Sequence, residues 1–234
     1  MQLFYNPILT PETQFFTFDK EESKHIIRVL RKDIGDVLMV TNGNGFLFTT
    51  KISEATEKKC VVTIVSHQLM PKPNAQLHIA IAPTKMNERI EWFLEKATEI
   101  GISEITFLHC KRSERTTINF ERFEKIVIAA AKQSLHYYFP KINGIEKLEI
   151  IIKKNKDAHK FIAHCEENLK ISFKDTLKNQ ENTTILIGPE GDFTTQEIEL
   201  ALLHHFIPVT LGNHRLRTET AGVMATAIFA MQNQ

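Results

Sequence analysis

The chain has 234 residues, 42% of them hydrophobic and 24% charged, a balance that excludes a disordered polymer and suits one large domain or a medium domain with a small companion. A formal net charge of +1 excludes a global pull on polyanions, so any nucleic-acid surface must arise from local clusters. No apolar stretch reaches the ~20 residues of a membrane helix, the opening "MQLFYNPILTPETQ" lacks the basic start and long apolar core of a signal peptide, and Cys60, Cys110 and Cys165, far apart in apolar runs, read as reduced core thiols of a cytoplasmic protein.

The first segment is β-rich. A short helix over 21–30 has Ile26, Ile27, Val29 and Leu30 as its apolar face, and "DVLMVT" (36–41), "FLFTTKI" (46–52) and "CVVTIVS" (60–66) are strands. "NGNG" at 42–45 is a hairpin turn signal. Several short strands in this length predict a small β-barrel or rolled sheet. "MPKPNAQ" (70–76), with two prolines and no periodicity, is a linker.

Beyond it strands and helices alternate. "QLHIAIAP" (76–83) is a buried strand; 87–100 is a helix with Ile90, Phe93, Leu94 and Ala97 on one face and Gly101 as its stop. A strand at 104–110 and a helix at 118–134 follow, then strands at 160–166 and 183–188. A helix at 194–205 opens with the capping pair Thr194 and Glu197, a strand lies at 208–212, and a last helix covers 218–231. This alternation predicts a parallel sheet covered on both faces. The last helix, "ETAGVMATAIFAMQ", is apolar almost all round, which fits either a subunit interface or a central core helix. His204 and His205 leave a helix end in different directions, and no metal site is expected.

In parallel α/β sheets ligands bind where strands end and helices begin. Gly188-Pro189-Glu190-Gly191-Asp192 occupies such a point, and the next strand ends in Leu211-Gly212 before "NHRLRTETAG". Glycines permit close backbone approach and proline stiffens the turn. No Lys-Ser/Thr follows the second glycine and G-x-G-x-x-G is absent, so neither a phosphate loop nor a dinucleotide fingerprint is present. Two neighbouring glycine loops could form one pocket; a purely structural strand-to-helix turn would use the same residues. Local basic clusters are candidate polyanion contacts, which the resemblance described next would make RNA contacts: His25, Arg28, Arg31 and Lys32 at near-helical spacing, then Lys85, and Lys111, Arg112 and Arg115 just past a strand end.

"ILIGPEGDFTTQEI" followed after a strand by "LGNHRLRTETA", together with "HIIRVLRKDIGD", "KMNERIEWFLEKATEIG" and "AAKQS", closely resembles the RsmE family of 16S ribosomal RNA methyltransferases of the SPOUT superfamily, over the whole chain. The resemblance implies a PUA-like RNA-binding β-barrel over 1–71 and a SPOUT methyltransferase domain over 72–234 with a C-terminal trefoil knot, acting as a cytoplasmic homodimer. It implies S-adenosylmethionine as methyl donor and uracil N3 of 16S ribosomal RNA in the small subunit as acceptor. Leu186, Ile187, Gly188, Pro189 and Gly191 would form one wall of the donor pocket, and Leu211, Gly212, Leu216, Arg217, Thr218 and Ala221 the other. Arg217 would stabilise charge on the uracil oxygens, with Glu219 as a weaker candidate for proton acceptor. Asp192 stands where many members have a further glycine, and "HYYFP" (136–140) lacks an arginine often found there. Two other readings share these motifs: another SPOUT methyltransferase with a different RNA target, and a non-catalytic ribosome-assembly factor.

Overall fold

The structure, a computed structural model, describes residues 2–167 and 169–233. Contacts divide the chain into two compact units, Met1–Lys72 with Ala131–Phe139, and Pro73–Ala130 with Pro140–Gln234.

The first unit is a five-stranded sheet in the order β1-β3-β4-β5-β2, built from β1 (Leu3–Tyr5), β2 (Phe15–Thr17), β3 (Val37–Thr41), β4 (Phe46–Thr56) and β5 (Lys59–Leu69). β1 and β3 are parallel and the other pairs antiparallel. Gly43 and Gly45 both take left-handed φ (74° and 96°) in the β3–β4 turn, as the Asn-Gly repeat predicts. β4 and β5 run several residues beyond the expected strands, as one long hairpin. The short β1 and β2 carry too little periodicity to be read from sequence. The expected helix over 21–30 is instead α1 (Lys20–Lys24), capped by Asp19, whose carboxylate accepts from the Glu22 N–H at 2.7 Å, followed by a π-helical turn His25–Val29. That wider turn buries Ile26 but leaves Val29 exposed, so Val29 leaves the apolar face assigned to it.

Residues 131–139 are absent from the expected first segment, yet they pack in this unit. The Phe139 ring stacks on Tyr5 at 4.6 Å, and the Tyr138 hydroxyl donates to the Met70 carbonyl at 3.0 Å. A Cβ on Gly45 would overlap the Tyr138 ring. The aromatics of "HYYFP" are therefore structural wedges, which their distance along the chain conceals.

The second unit holds a fully parallel seven-stranded sheet, ordered β10-β12-β9-β11-β6-β7-β8. Its strands are β6 (Leu77–Ile81), β7 (Glu104–His109), β8 (Lys141–Lys147), β9 (His159–Ala163), β10 (Ile171–Ser172), β11 (Thr183–Ile187) and β12 (Ile207–Thr210). Its helices are α2 (Asn87–Ile100), α3 (Phe120–Gln133), α4 (Leu148–Lys154), α5 (Phe173–Thr176), α6 (Thr195–Leu203) and α7 (Thr218–Gln232). Gly101 ends α2 at φ 111°, and Thr194 with Glu197 forms the capping box of α6. β8 and α4 lie outside the expected elements because "KINGIEK" is a polar edge strand. Alternation sends Ile79, Ile81, Ile185 and Ile187 into one core with α2, α3 and α7. Ala80, Ala82, Ile162 and Leu186 enter a second core with α4 and α6 on the opposite face. Cys60 and Cys110 are buried, but Cys165 is exposed just past the end of β9, so the reading of three core thiols holds for two.

α7 packs against α2, β6 and β11 through Ala221, Gly222, Ala225 and Phe229. A Cβ on Gly222 would sit 2.4 Å from the buried Phe93 ring and 3.1 Å from Ile81 Cδ1. Gly222→Ala should therefore destabilise the protein, although alanine favours a helix by ~1 kcal/mol. Overpacking costs typically 1–3 kcal/mol, and Gly222→Val should cost more; thermal unfolding of both variants, with the midpoint falling by several degrees, is the check.

Candidate functional site

The strand order places the C-terminal ends of β9, β11 and β12 side by side. After the fully buried β11 comes the Gly188–Asp192 turn, held by four elements. The Asp192 N–H donates to the Pro189 carbonyl at 2.9 Å while Asp192 takes φ 63°, a left-handed position that aspartate tolerates better than most residues. Its carboxylate accepts from the Cys165 N–H at 2.8 Å and so fastens the turn to β9. Arg112 Nη1 donates to the carbonyls of Gly191 (2.9 Å) and Phe193 (3.2 Å). Glu190 accepts from the Lys85 N–H at 3.1 Å. Thr218, first in α7, donates its hydroxyl to the Gly188 carbonyl at 3.0 Å and ties the two glycine loops together. A Cβ on Gly188 would lie 3.1 Å from the Phe193 ring, so any larger residue there must push that ring back by a few tenths of an ångström.

The second loop turns on Thr210, whose hydroxyl donates to the Gly212 carbonyl at 2.6 Å, with Gly212 at φ 147°. Between the loops lies a cavity of about 620 Å³. Of the positions expected to form its walls, Ile187, Gly188, Pro189, Leu211, Gly212, Leu216, Arg217, Thr218 and Ala221 line it. Leu186 does not, because strand alternation turns it into the opposite core, and Gly191 does not, because the turn directs it at Arg112. Sequence reasoning missed the third wall, Ala163, His164, Cys165 and Lys170, because only the strand order makes β9 a neighbour of both loops.

His164 is 7% exposed and neither ring nitrogen has a hydrogen-bond partner. Burial, with the Lys170 ammonium nearby, holds its pKa below the ordinary histidine value against the opposing pull of Asp192 and Glu166, so the imidazole is neutral at pH 7. The Lys170 ammonium itself donates to the carbonyls of His164 (3.1 Å) and Glu166 (2.7 Å).

A second cavity, about 690 Å³, is lined by Glu88, Arg89 and Trp92 of α2 and by residues 215–217, 219 and 220; Arg215, Leu216 and Arg217 line both cavities. Arg217 is the exposed N-cap residue of α7, and its guanidinium makes no ion pair or hydrogen bond with a described residue. Glu219 is 5% exposed; its Oε1 lies 3.7 Å from Arg89 Nε, and its Oε2 has no partner. The arginine beside Glu219 is thus Arg89 of α2, a neighbour that spacing along the chain could not supply.

The expected RNA residues fall into two kinds. Arg28 and Arg31 are exposed and unpaired among the described residues, Arg31 at φ 54° just past the π-helical turn. His25 is half-buried beside Gln2 at 3.0 Å, and Lys32 lies 3.8 Å from Asp36. In the second unit the candidates are engaged. Arg112 clasps the glycine turn, Lys85 pairs with Glu114 at 2.9 Å, and Arg115 donates to the Asn87 side chain.

Residues 71–230 match the RNA methyltransferase domain family and residues 18–65 the RNA methyltransferase PUA domain family. The chain is 30% identical over 227 residues to ribosomal RNA small subunit methyltransferase E of Buchnera aphidicola subsp. Acyrthosiphon pisum, covering 93% of this chain and 88% of that protein. It superposes on a probable rRNA-methyltransferase from Porphyromonas gingivalis with TM-score 0.93 at 41% identity, over 99% of this chain and 98% of that one. A putative methyltransferase from Legionella pneumophila, solved with bound cofactor SAM, gives TM-score 0.87 at 27% identity, over 99% and 97% of the two chains. No helix among the described residues is long and apolar enough to cross a membrane. With both domain families in order and similarity along nearly its full length, the chain belongs to the ribosomal RNA small subunit methyltransferase E family.

Proposed function

We propose that this protein uses S-adenosylmethionine to methylate N3 of a specific uridine in 16S ribosomal RNA, acting in the cytoplasm on the small ribosomal subunit. The observation that carries this reading is the cavity between two glycine loops, at the ends of β11 and β12 on either side of β9, tied by Thr218 and bordered by an unengaged arginine. Its volume falls in the range of small-molecule sites. Its wall combines apolar Ile187, Leu211, Leu216 and Ala221 with loop backbone, which suits a nucleoside carrying an apolar face and polar edges. The donor supplies a sulfonium-activated methyl group, so the protein's task is positioning and electrostatics. The glycine loops hold the donor, with Gly191 shaping the turn through Arg112 and Leu186 supporting it from the far core.

An N3 nucleophile must lose its proton, and the charge moves onto the ring oxygens. Arg217, at the boundary of the two cavities, stabilises that charge. Glu219 is the carboxylate available to the proton, oriented by Arg89. RNA is gripped in the first unit by Arg28 and Arg31, assisted by His25 and Lys32, and in the second by Lys85 and the faces of Arg112 and Arg115 that their internal bonds leave exposed. The path from β11 through β12 and the 211–217 loop back to α7 is read as a trefoil knot. The half-exposed apolar stripe of α7, with Met224 at 39% and Met231 at 75% exposure, is read as the homodimer face.

Arg217→Ala should slow single-turnover methyl transfer to the small subunit about 100- to 1000-fold at saturating donor and RNA, a barrier increase of roughly 2.7–4 kcal/mol, with donor affinity nearly unchanged. Arg217→Lys should recover only part, since an ammonium cannot reproduce the planar fork. Arg28→Glu with Arg31→Glu should weaken RNA binding and flatten its dependence on salt, by about 0.7–0.9 of a unit in log–log slope for each phosphate left without its cation, while calorimetry with the donor stays unchanged. Met224→Glu with Met231→Glu should leave the fold intact and shift light scattering from dimer to monomer; a stable dimer would remove α7 from the interface.

A further inference from the structure

We infer that the second cavity receives the acceptor nucleobase and that the Trp92 indole is the face on which this base stacks. The inference rests on the methyl-transfer reading above and specifies where the RNA side of that reaction is held.

Methyl transfer brings donor and acceptor atoms to about 3–3.5 Å. The acceptor space must therefore open onto the donor space. Arg215, Leu216 and Arg217 line both cavities, so the second cavity adjoins the one between the glycine loops along these residues.

Trp92 is the only tryptophan of the chain and is 43% exposed. It stands off the apolar face of α2, where Ile90, Phe93, Leu94 and Ala97 are fully buried. A large aromatic ring left open on a cavity wall is a ready platform for an unstacked base, the usual target of sequence-specific RNA recognition. Stacking on such a ring tolerates any base, so the edge must be read by other groups.

Those groups are present. Arg89, Arg215 and Arg217 supply cationic donors on the same cavity, and Glu219, 3.7 Å from Arg89, offers a buried carboxylate whose Oε2 has no partner. A uracil edge runs acceptor, donor, acceptor: two carbonyls flanking an imide N–H. Cationic donors around one carboxylate match that order. A cytosine edge, with its amino donor at one end and an unprotonated ring nitrogen in the middle, would set an acceptor against the carboxylate. The cavity thus suits a uracil-type imide, and Arg89, 3.7 Å from the Glu219 carboxylate, holds that carboxylate in place until the edge arrives.

Because Trp92 is the sole tryptophan, its emission reports the cavity directly. Wild-type protein saturated with S-adenosylhomocysteine is titrated with a short oligouridylate and, separately, with an oligocytidylate of equal length. Stronger quenching and tighter binding by oligouridylate are expected. Trp92→Leu should raise KM for the small subunit roughly 5- to 150-fold, the equivalent of about 1–3 kcal/mol for one stacked base, with donor affinity unchanged. Trp92→Phe should restore most of the loss. Equal quenching by both oligomers, an unchanged KM in Trp92→Leu, or a defect that only follows a shift from dimer to monomer would each overturn the assignment, the last by giving the indole to a second copy of the chain. Wild-type protein that binds no donor overturns the methyl-transfer reading itself; wild type that binds donor and methylates, beside a Trp92→Leu variant with normal KM, overturns the Trp92 assignment alone.

Discussion

The contact on which the site depends is the close approach of α7 to the sheet at Gly222. With no Cβ in the way, the helix settles against the Phe93 ring and Ile81. One turn earlier, that depth brings Thr218 within hydrogen-bond reach of the Gly188 carbonyl. It also leaves Arg217 outside the helix as its N-cap and carries Glu219 inward to Arg89. A helix displaced outward by one methyl group would loosen all three relations, because they lie within a single turn of the contact.

A second theme is the division of labour among the cations. Arginine can satisfy carbonyls and carboxylates with several donors at once, and the fold uses that capacity structurally in Arg112, which spans two carbonyls of the glycine turn, and in Arg89, which faces Glu219. Arg217 has no comparable internal engagement among the described residues. A cation that the fold does not consume is available to a ligand, whereas an exposed arginine already bonded to backbone must break those bonds to act elsewhere. The same contrast separates Arg28 and Arg31 from Lys85 in its pair with Glu114.

The cavity between the glycine loops also shows why burial and bonding have to be weighed together. His164 is enclosed without a partner for either nitrogen, so it rests as a neutral ring and contributes shape to the wall rather than charge. Asp192, by contrast, turns an unusual left-handed conformation into a fastening, since its carboxylate reaches the Cys165 N–H across to β9. The third wall of the cavity is therefore fastened to the glycine turn by Asp192.

Much of this was determined by the sequence alone. Periodicity marked α2, α6 and the buried strands, the Gly101 stop and the Thr194–Glu197 capping pair were readable as local chemistry, and the two glycine loops stood out because few residues tolerate such backbone. Local signals of this kind act over a few residues and survive without knowledge of the fold. What only the tertiary structure decided is which distant segments meet. Strand order set β9 between the loops and added a wall that no motif announces, alternation turned Leu186 away, and the aromatics at 137–139 joined the first unit from the far side of a helix. Arg112 lies 79 residues from Gly191 in the chain, and Arg89 is more remote still from Glu219, so their roles as clasp and partner had no sequence signal. Chain spacing records what is near along the backbone, and these contacts exist only because a parallel sheet brings the ends of separated strands to one edge.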